Sequence, residues 1–209
     1  MNDYLSVEGE ISCEYVVERS RFITHIAPVE NEESAKAYVE KIRKAHSLAT
    51  HNCYAYIADE CGLKQKFSDD GEPQGTAGLP MLEVLKARGL KKCAVVVTRY
   101  FGGVKLGAGG LVRAYTKAVA DGVNAAKVVK YTVCAFIETA ADYEYYAKIL
   151  KFAESKNYKI IDTQFSERAT VRFAIPAENL AAFEANFADC FNGRLETETS
   201  GTGYYAFEE

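Results

Sequence analysis

Residues 93–99, CAVVVTR, form an apolar run without polar alternation that ends on a charge, and they constrain the fold more than any other stretch. A short continuous run of this kind suits a strand buried on both faces. It leads directly into RYFGGVKLGAGG (99–110), after which a helical pattern, LVRAYTKAVADGVNAA, begins at once. In that helix Leu111, Tyr115, Val119 and Val123 share one face, while Arg113, Lys117 and Asp121 share the opposite one. The order is therefore strand, glycine loop and helix N-terminus, with cations displayed beside it.

A glycine-rich loop before a helix invites a nucleotide-binding reading, and spacing excludes the two familiar forms. A phosphate-binding Walker loop needs Lys and Ser/Thr after its second glycine, because the lysine reaches the terminal phosphates and the hydroxyl holds magnesium. Gly102 and Gly107 have the separation, but Ala108 and Gly109 stand where those side chains are required. The dinucleotide fingerprint also fails, since Val112 occupies the position of its third small residue after Gly107 and Gly109. What remains is more general. Gly109 and Gly110 leave backbone N–H groups accessible at a helix start, where the dipole favours an anion. Arg99, Lys105, Arg113 and Lys117 surround that point, and Gly102 and Gly103 complete the loop. Alternatively the glycines only permit positive φ and close strand–helix packing. The residues alone leave both readings open.

A second stretch, SDDGEP (68–73), joins ATHN (49–52) as a candidate for chemistry. Asp69, Asp70 and Glu72 have the oxygen donors for magnesium and, with His51, the groups for acid–base catalysis. The simpler account is a solvated turn in which Asp-Gly and Glu-Pro set the conformation. His51, Cys53 and Cys61 lack the fourth ligand and close spacing of a zinc site, so neither metal nor cofactor is expected. Cys53 shares a strand face with His51, but a buried thiol is a simpler reading than an activated one.

The rest of the chain reads as two α+β domains, 1–129 and 130–209. Strands are expected over Tyr15–Val29, with a turn near Ser20, and over 51–58. A helix follows the N-cap Asn31 to about His46, and a shorter one has Pro80 in its first turn and Gly89 as its stop. Residues 66–79 read as turn-rich, with Asp70-Gly71 and Glu72-Pro73 as breakers. From about residue 130 the order is strand, helix, two strands, helix and a last strand, the βαββαβ ferredoxin-like arrangement. The six cysteines contain no Cys-x-x-Cys pair and read as reduced thiols. No apolar run approaches a membrane span, and the first residues lack a signal-peptide pattern, so a cytoplasmic protein is expected. The net charge of −4 argues against a dedicated nucleic-acid binder, although the basic residues concentrate before residue 130 and the acidic excess lies after it.

Four segments together resemble the IMPACT family in its bacterial YigZ-type form: SRFITHIAPV (20–29), ATHNCYAY (49–56), SDDGEPQGTAG (68–78) and VVTRYFGGVKLGAGGLVRAY (96–115). The remainder resembles the small C-terminal domain of bacterial members. The resemblance implies an N-terminal fold like the second domain of ribosomal protein S-five, a βαβ superfamily. It also implies a C-terminal ferredoxin-like domain similar to the last domain of elongation factor G. Eukaryotic relatives act in translational control by binding the activator of a starvation-responsive initiation-factor kinase. They carry an additional N-terminal recognition domain that this chain is not expected to contain, so that partner is not carried over.

The leading expectation is a non-enzymatic, translation-associated protein that contacts RNA or ribosomal components through the cation-flanked loop. If Arg99, Lys105, Arg113 and Lys117 each engage a phosphate, log K against log salt should slope at about −3.6 on duplex. The alternatives are an enzyme acting on a small phosphorylated or acidic substrate, and a protein-binding regulator whose loop is purely structural. The enzyme reading requires His51 and the acidic turn to meet the glycine loop in one cleft.

Overall fold

The alternation expected around Ser20 produces a hairpin in the computed structural model, which describes residues 2–207. After β1 (Tyr4–Val7), strands β2 (Ile11–Val17) and β3 (Ser20–Pro28) pair antiparallel, with Val17 opposite Ser20. Glu18 and Arg19 make the connection with φ of 45° and 62°. Positive φ at both central residues marks the tight hairpin turn that matches strand twist. It is built here without the usual Asn-Gly, so its position is legible but its strain is not.

Asn31 caps α1 (Glu32–Ala45): its side chain accepts from the Ser34 amide, and the Ser34 hydroxyl reaches back to the Asn31 amide. The helix ends at His46, and β4 (His51–Ile57) and β5 (Gln65–Ser68) follow. Strand β5 takes residues 66–68 of the stretch read as turn-rich, while 69–77 are turns and irregular structure. Its residues are largely exposed and bind only β4, so no apolar alternation announces them. Helix α2 (Gly78–Ala87) has Pro80 in its first turn, and Gly89 follows its end with φ of 65°.

Strand β6 (Cys93–Tyr100) lies at the centre of an antiparallel sheet of order β2–β3–β6–β4–β5. Its side chains alternate between two cores. Cys93, Val95 and Val97 join Met81 and Leu85 of α2 and Tyr115 and Val119 of α3 (Gly107–Ala125). Ala94 and Val96 face Val39 and Ile42 of α1 on the other side. Helices on both faces explain the continuous apolar run in a sheet that is antiparallel, not parallel. Leu111, Tyr115, Val119 and Val123 are all buried, as the helical periodicity predicts.

The chain divides into two compact units within β7 (Val128–Ala141), after Lys130. In the second unit, α4 (Tyr143–Lys156), β8 (Lys159–Phe165), β9 (Ala169–Pro176), α5 (Leu180–Phe191) and β10 (Glu198–Phe207) follow. Strand β9 pairs antiparallel with β7 and β8, and β10 pairs with β7. This is the ferredoxin-like order. Phe152 of α4 packs edge-on against Phe183, Phe187 and Phe191 of α5, over Val171 and Phe173 of β9. The aromatic-rich α4 sequence thus serves packing. Among the described residues no helix is long and apolar enough to cross a membrane.

Candidate functional site

The C-terminal end of β6, the start of β4 and the first turn of α3 enclose a cavity of about 350 Å³ in the N-terminal unit. Thr50 and His51, Glu72 and Pro73, and Arg99 line it from three segments, and Lys105, Gly107 and Ala108 contribute from the glycine loop. The two motif regions therefore share one cleft, the condition for the loop and the acidic turn to act on one ligand.

Within that cleft the candidate residues have distinct fates. His51 directs Nδ1 at the Asp70 carbonyl oxygen, 2.7 Å away. A carbonyl only accepts, so Nδ1 carries the proton and Nε2 is the lone-pair atom of the neutral ring. Asp70, with φ of 43°, and Gly71, with φ of 87°, bend the turn back to make this contact. Glu72 lies beneath, its Oε2 3.8 Å from His51 Nε2. Its Oε1 accepts from Arg99 Nη1 at 2.7 Å and from the Tyr115 hydroxyl at 2.8 Å. Both members of the Glu72–Arg99 pair are almost fully buried, with side-chain exposures of 3% and 6%.

Arg99 thus corrects an expectation. As the charge that ends the apolar run 93–99 it reads as a free cation for phosphate, but its charge is spent inside the domain on Glu72. The guanidinium also lies over the rings of Phe22 and Phe101, and Nη2 donates to Ser20. The acidic turn is corrected as well, being neither a solvated turn nor a shared metal site. Asp69 accepts from the amides of Gly75, Ala77 and Gly78, capping α2 from a distance. Asp70 accepts from the Asn52 amide and pairs with Arg43. The three carboxylates have separate partners, and no cluster suited to a metal occurs among the described residues. Tyr115 and Phe101 were missed as site residues because their aromatic character reads as ordinary core.

The glycines divide between the two readings. An added Cβ at Gly102 would collide with the Arg19 carbonyl and the Ser20 amide, so that glycine permits a backbone approach. Gly103 and Gly107 have φ of 85° and 69°. Gly109 and Gly110 are needed for neither reason as sharply. Gly109 faces open space apart from Arg113 Nη1, and Gly110 meets Leu106 Cβ at 3.0 Å. They lie in the first turn of α3, which has no side-chain cap and no acidic residue.

A second cavity, about 660 Å³, lies on the other flank of that turn. Tyr15 and Glu18 line it together with Lys105, Gly110, Arg113 and Lys117. Lys117 pairs with Asp121 at 2.9 Å and lies over the Tyr15 ring. Lys105 and Arg113 have no ion-pair partner among the described residues.

Cys53 donates to the Asp69 carbonyl at 2.9 Å, and burial drives its thiol well above the ordinary range. Burial likewise pushes Cys93 up to about 12, whereas Cys61 is exposed. Iodoacetamide at mildly alkaline pH should therefore modify Cys61 first and leave Cys53 and Cys93 intact until denaturant is added, as read by peptide mass mapping. Alkylation of Cys53 as fast as Cys61 would restore the activated-thiol reading.

The Impact N-terminal domain model matches residues 18–123, and a domain of unknown function (DUF1949) matches residues 139–194. IMPACT family member YvyE of Bacillus subtilis is 41% identical over 98% of this chain and 94% of its own. IMPACT family member YigZ of Escherichia coli is 35% identical over 94% and 97%. A crystal structure of a hypothetical protein superposes with a TM-score of 0.62 at 34% identity, over 96% of this chain and 98% of that one. With both domain models matched in order and relatives aligned along nearly its whole length, the chain belongs to the IMPACT family.

Proposed function

We propose that the protein is a translation-associated regulator that binds RNA along the groove beside the start of α3. One observation carries this reading: Lys105, Arg113 and Lys117 line a single groove next to an uncapped helix N-terminus that holds no acid in its first turn. Backbone N–H groups and the helix dipole favour a phosphate there, and the cations supply the remaining contacts. Tyr15 offers a half-buried ring on the groove wall, suited to stacking a base. The translational control that the resemblance gives to eukaryotic relatives agrees with such a partner.

With Arg99 withdrawn to Glu72, three cations remain instead of four. Fluorescence anisotropy with a labelled single-stranded RNA at several salt concentrations should give a log–log slope of about −2.1, and duplex about −2.7. Replacing Lys105, Arg113 and Lys117 with alanine together should flatten the slope towards zero. Binding no tighter than to polyaspartate, or undiminished in the triple variant, would reject the reading.

A further inference from the structure

The first aromatic of α4 is an exception to the packing role of that helix. Tyr143 is 53% exposed, and Phe165, at the end of β8, is 58% exposed. Their rings stack nearly parallel, with centroids 6.2 Å apart, and Tyr146 meets Phe165 edge-on at 5.2 Å to form a corner. Leu150, also exposed, extends the group, since positions 143, 146 and 150 share one face of the helix. Apolar side chains scattered singly over a surface are ordinary, whereas a contiguous exposed group calls for a partner.

Local bonds hold the corner in place. The Tyr143 hydroxyl donates to the Ser166 carbonyl, and Arg168 pairs with Asp142 at 3.3 Å across the same junction. The Ser166 amide donates to the Arg168 carbonyl, closing the turn after β8. Aromatic faces fixed in this way lose little conformational freedom when something binds them.

Charge decides what such a surface takes. Glu144 and Glu167, which flank the aromatic residues in sequence, are exposed and have no ion-pair partner among the described residues. Residues 131–209 carry thirteen Asp and Glu against seven Lys and Arg. A nucleic-acid base can stack on exposed rings, but its phosphates would meet an acidic surface. A guanidinium satisfies both features, because it lies on ring faces and pairs with carboxylates.

We propose that the Tyr143–Tyr146–Phe165 corner docks an arginine-bearing segment of a partner protein. The guanidinium lies on the exposed rings, and Glu144 and Glu167 balance its charge. The surface belongs to the C-terminal unit and shares no residue with the RNA groove.

The full chain would be titrated with a labelled peptide holding three arginines in a Gly–Ser context, read by anisotropy and by amide chemical shifts. Saturable shifts are expected at Tyr143–Tyr146 and Phe165–Arg168. Citrulline in place of each arginine keeps the shape and removes the charge, so it should abolish binding. Phe165→Ser removes a largely exposed ring and should weaken the peptide by at least about fivefold, with little change in melting temperature. Glu144→Gln combined with Glu167→Gln leaves the rings intact and should weaken it by about threefold. Glu178→Gln combined with Glu184→Gln takes the same charge from α5 and the turn before it, and should leave binding unchanged. Equal binding by the citrulline peptide or by a folded Phe165→Ser variant would overturn the proposal, as would the same loss from both pairs of glutamate changes. Single-stranded RNA that shifts the Phe165 amide where the arginine peptide does not would also overturn it, by making the corner a base-stacking platform.

Discussion

Glu72→Gln should lower the stability of the N-terminal domain by about 3–5 kcal/mol, because it leaves a buried guanidinium uncompensated. Gln keeps the shape of Glu and an oxygen for the Tyr115 hydroxyl, so the loss reports the charge. Arg99 is largely shut off from water: its side chain is only 6% exposed, it lies over two aromatic rings, and its other side-chain hydrogen-bond partner is the Ser20 hydroxyl. A comparison variant carrying both Glu72→Met and Arg99→Met should recover most of the loss, since exchanging a buried pair for apolar residues is often neutral. The chain has no tryptophan, so urea unfolding is best followed by circular dichroism together with the amide signals of β6. A cost below about 1 kcal/mol for Glu72→Gln would mean that water reaches the pair. A double variant as unstable as the single one would mean that packing, not charge, accounts for the effect.

Gly102→Ala should be the second severe substitution, at or above the 1–3 kcal/mol typical of overpacking. The added Cβ would meet backbone, namely the Arg19 carbonyl and the Ser20 amide, and neither can turn aside as a side chain would. Arg19 is already held at φ of 62° in the hairpin turn. The Ser20 hydroxyl accepts from the Gly102 amide at 3.2 Å and from Arg99 at 3.4 Å, tying turn, loop and buried pair together. Gly109→Ala provides the contrast. Its nearest neighbour is the flexible end of Arg113 at 3.8 Å, and alanine is the better helix former by up to about 1 kcal/mol. Melting curves should therefore show a large fall for Gly102→Ala and none for Gly109→Ala. Similar effects at both positions would contradict this division of the loop into a structural glycine and an open helix start.

Much of the fold was legible from local rules. The Asn31 cap, the α3 face through Tyr115, and the two-sided burial of Val95 and Val96 each follow from residue type and spacing. Strand β5 escaped because an exposed edge strand has no buried face to impose alternation. The candidate site was legible in part. Its members were named from the acidic turn and the glycine loop, but their roles depend on partners far away in the chain. Glu72 and Arg99 are 27 residues apart and meet at 2.7 Å. Asp69 looks like a metal ligand and caps a helix that begins nine residues later.

The sequence by itself pointed to the family through the resemblance of four segments, and to the two α+β domains and a helix start behind a glycine loop, since the last two depend on periodicity and backbone chemistry within a few residues. Only the tertiary structure decided which charges remain for a ligand. Arg99 and Lys105 look equivalent along the chain, but the sheet turns the first inward onto Glu72 and the loop leaves the second exposed. The physical reason is that a buried cation is stable only with its counter-ion, and long-range packing determines which carboxylate is there to meet it.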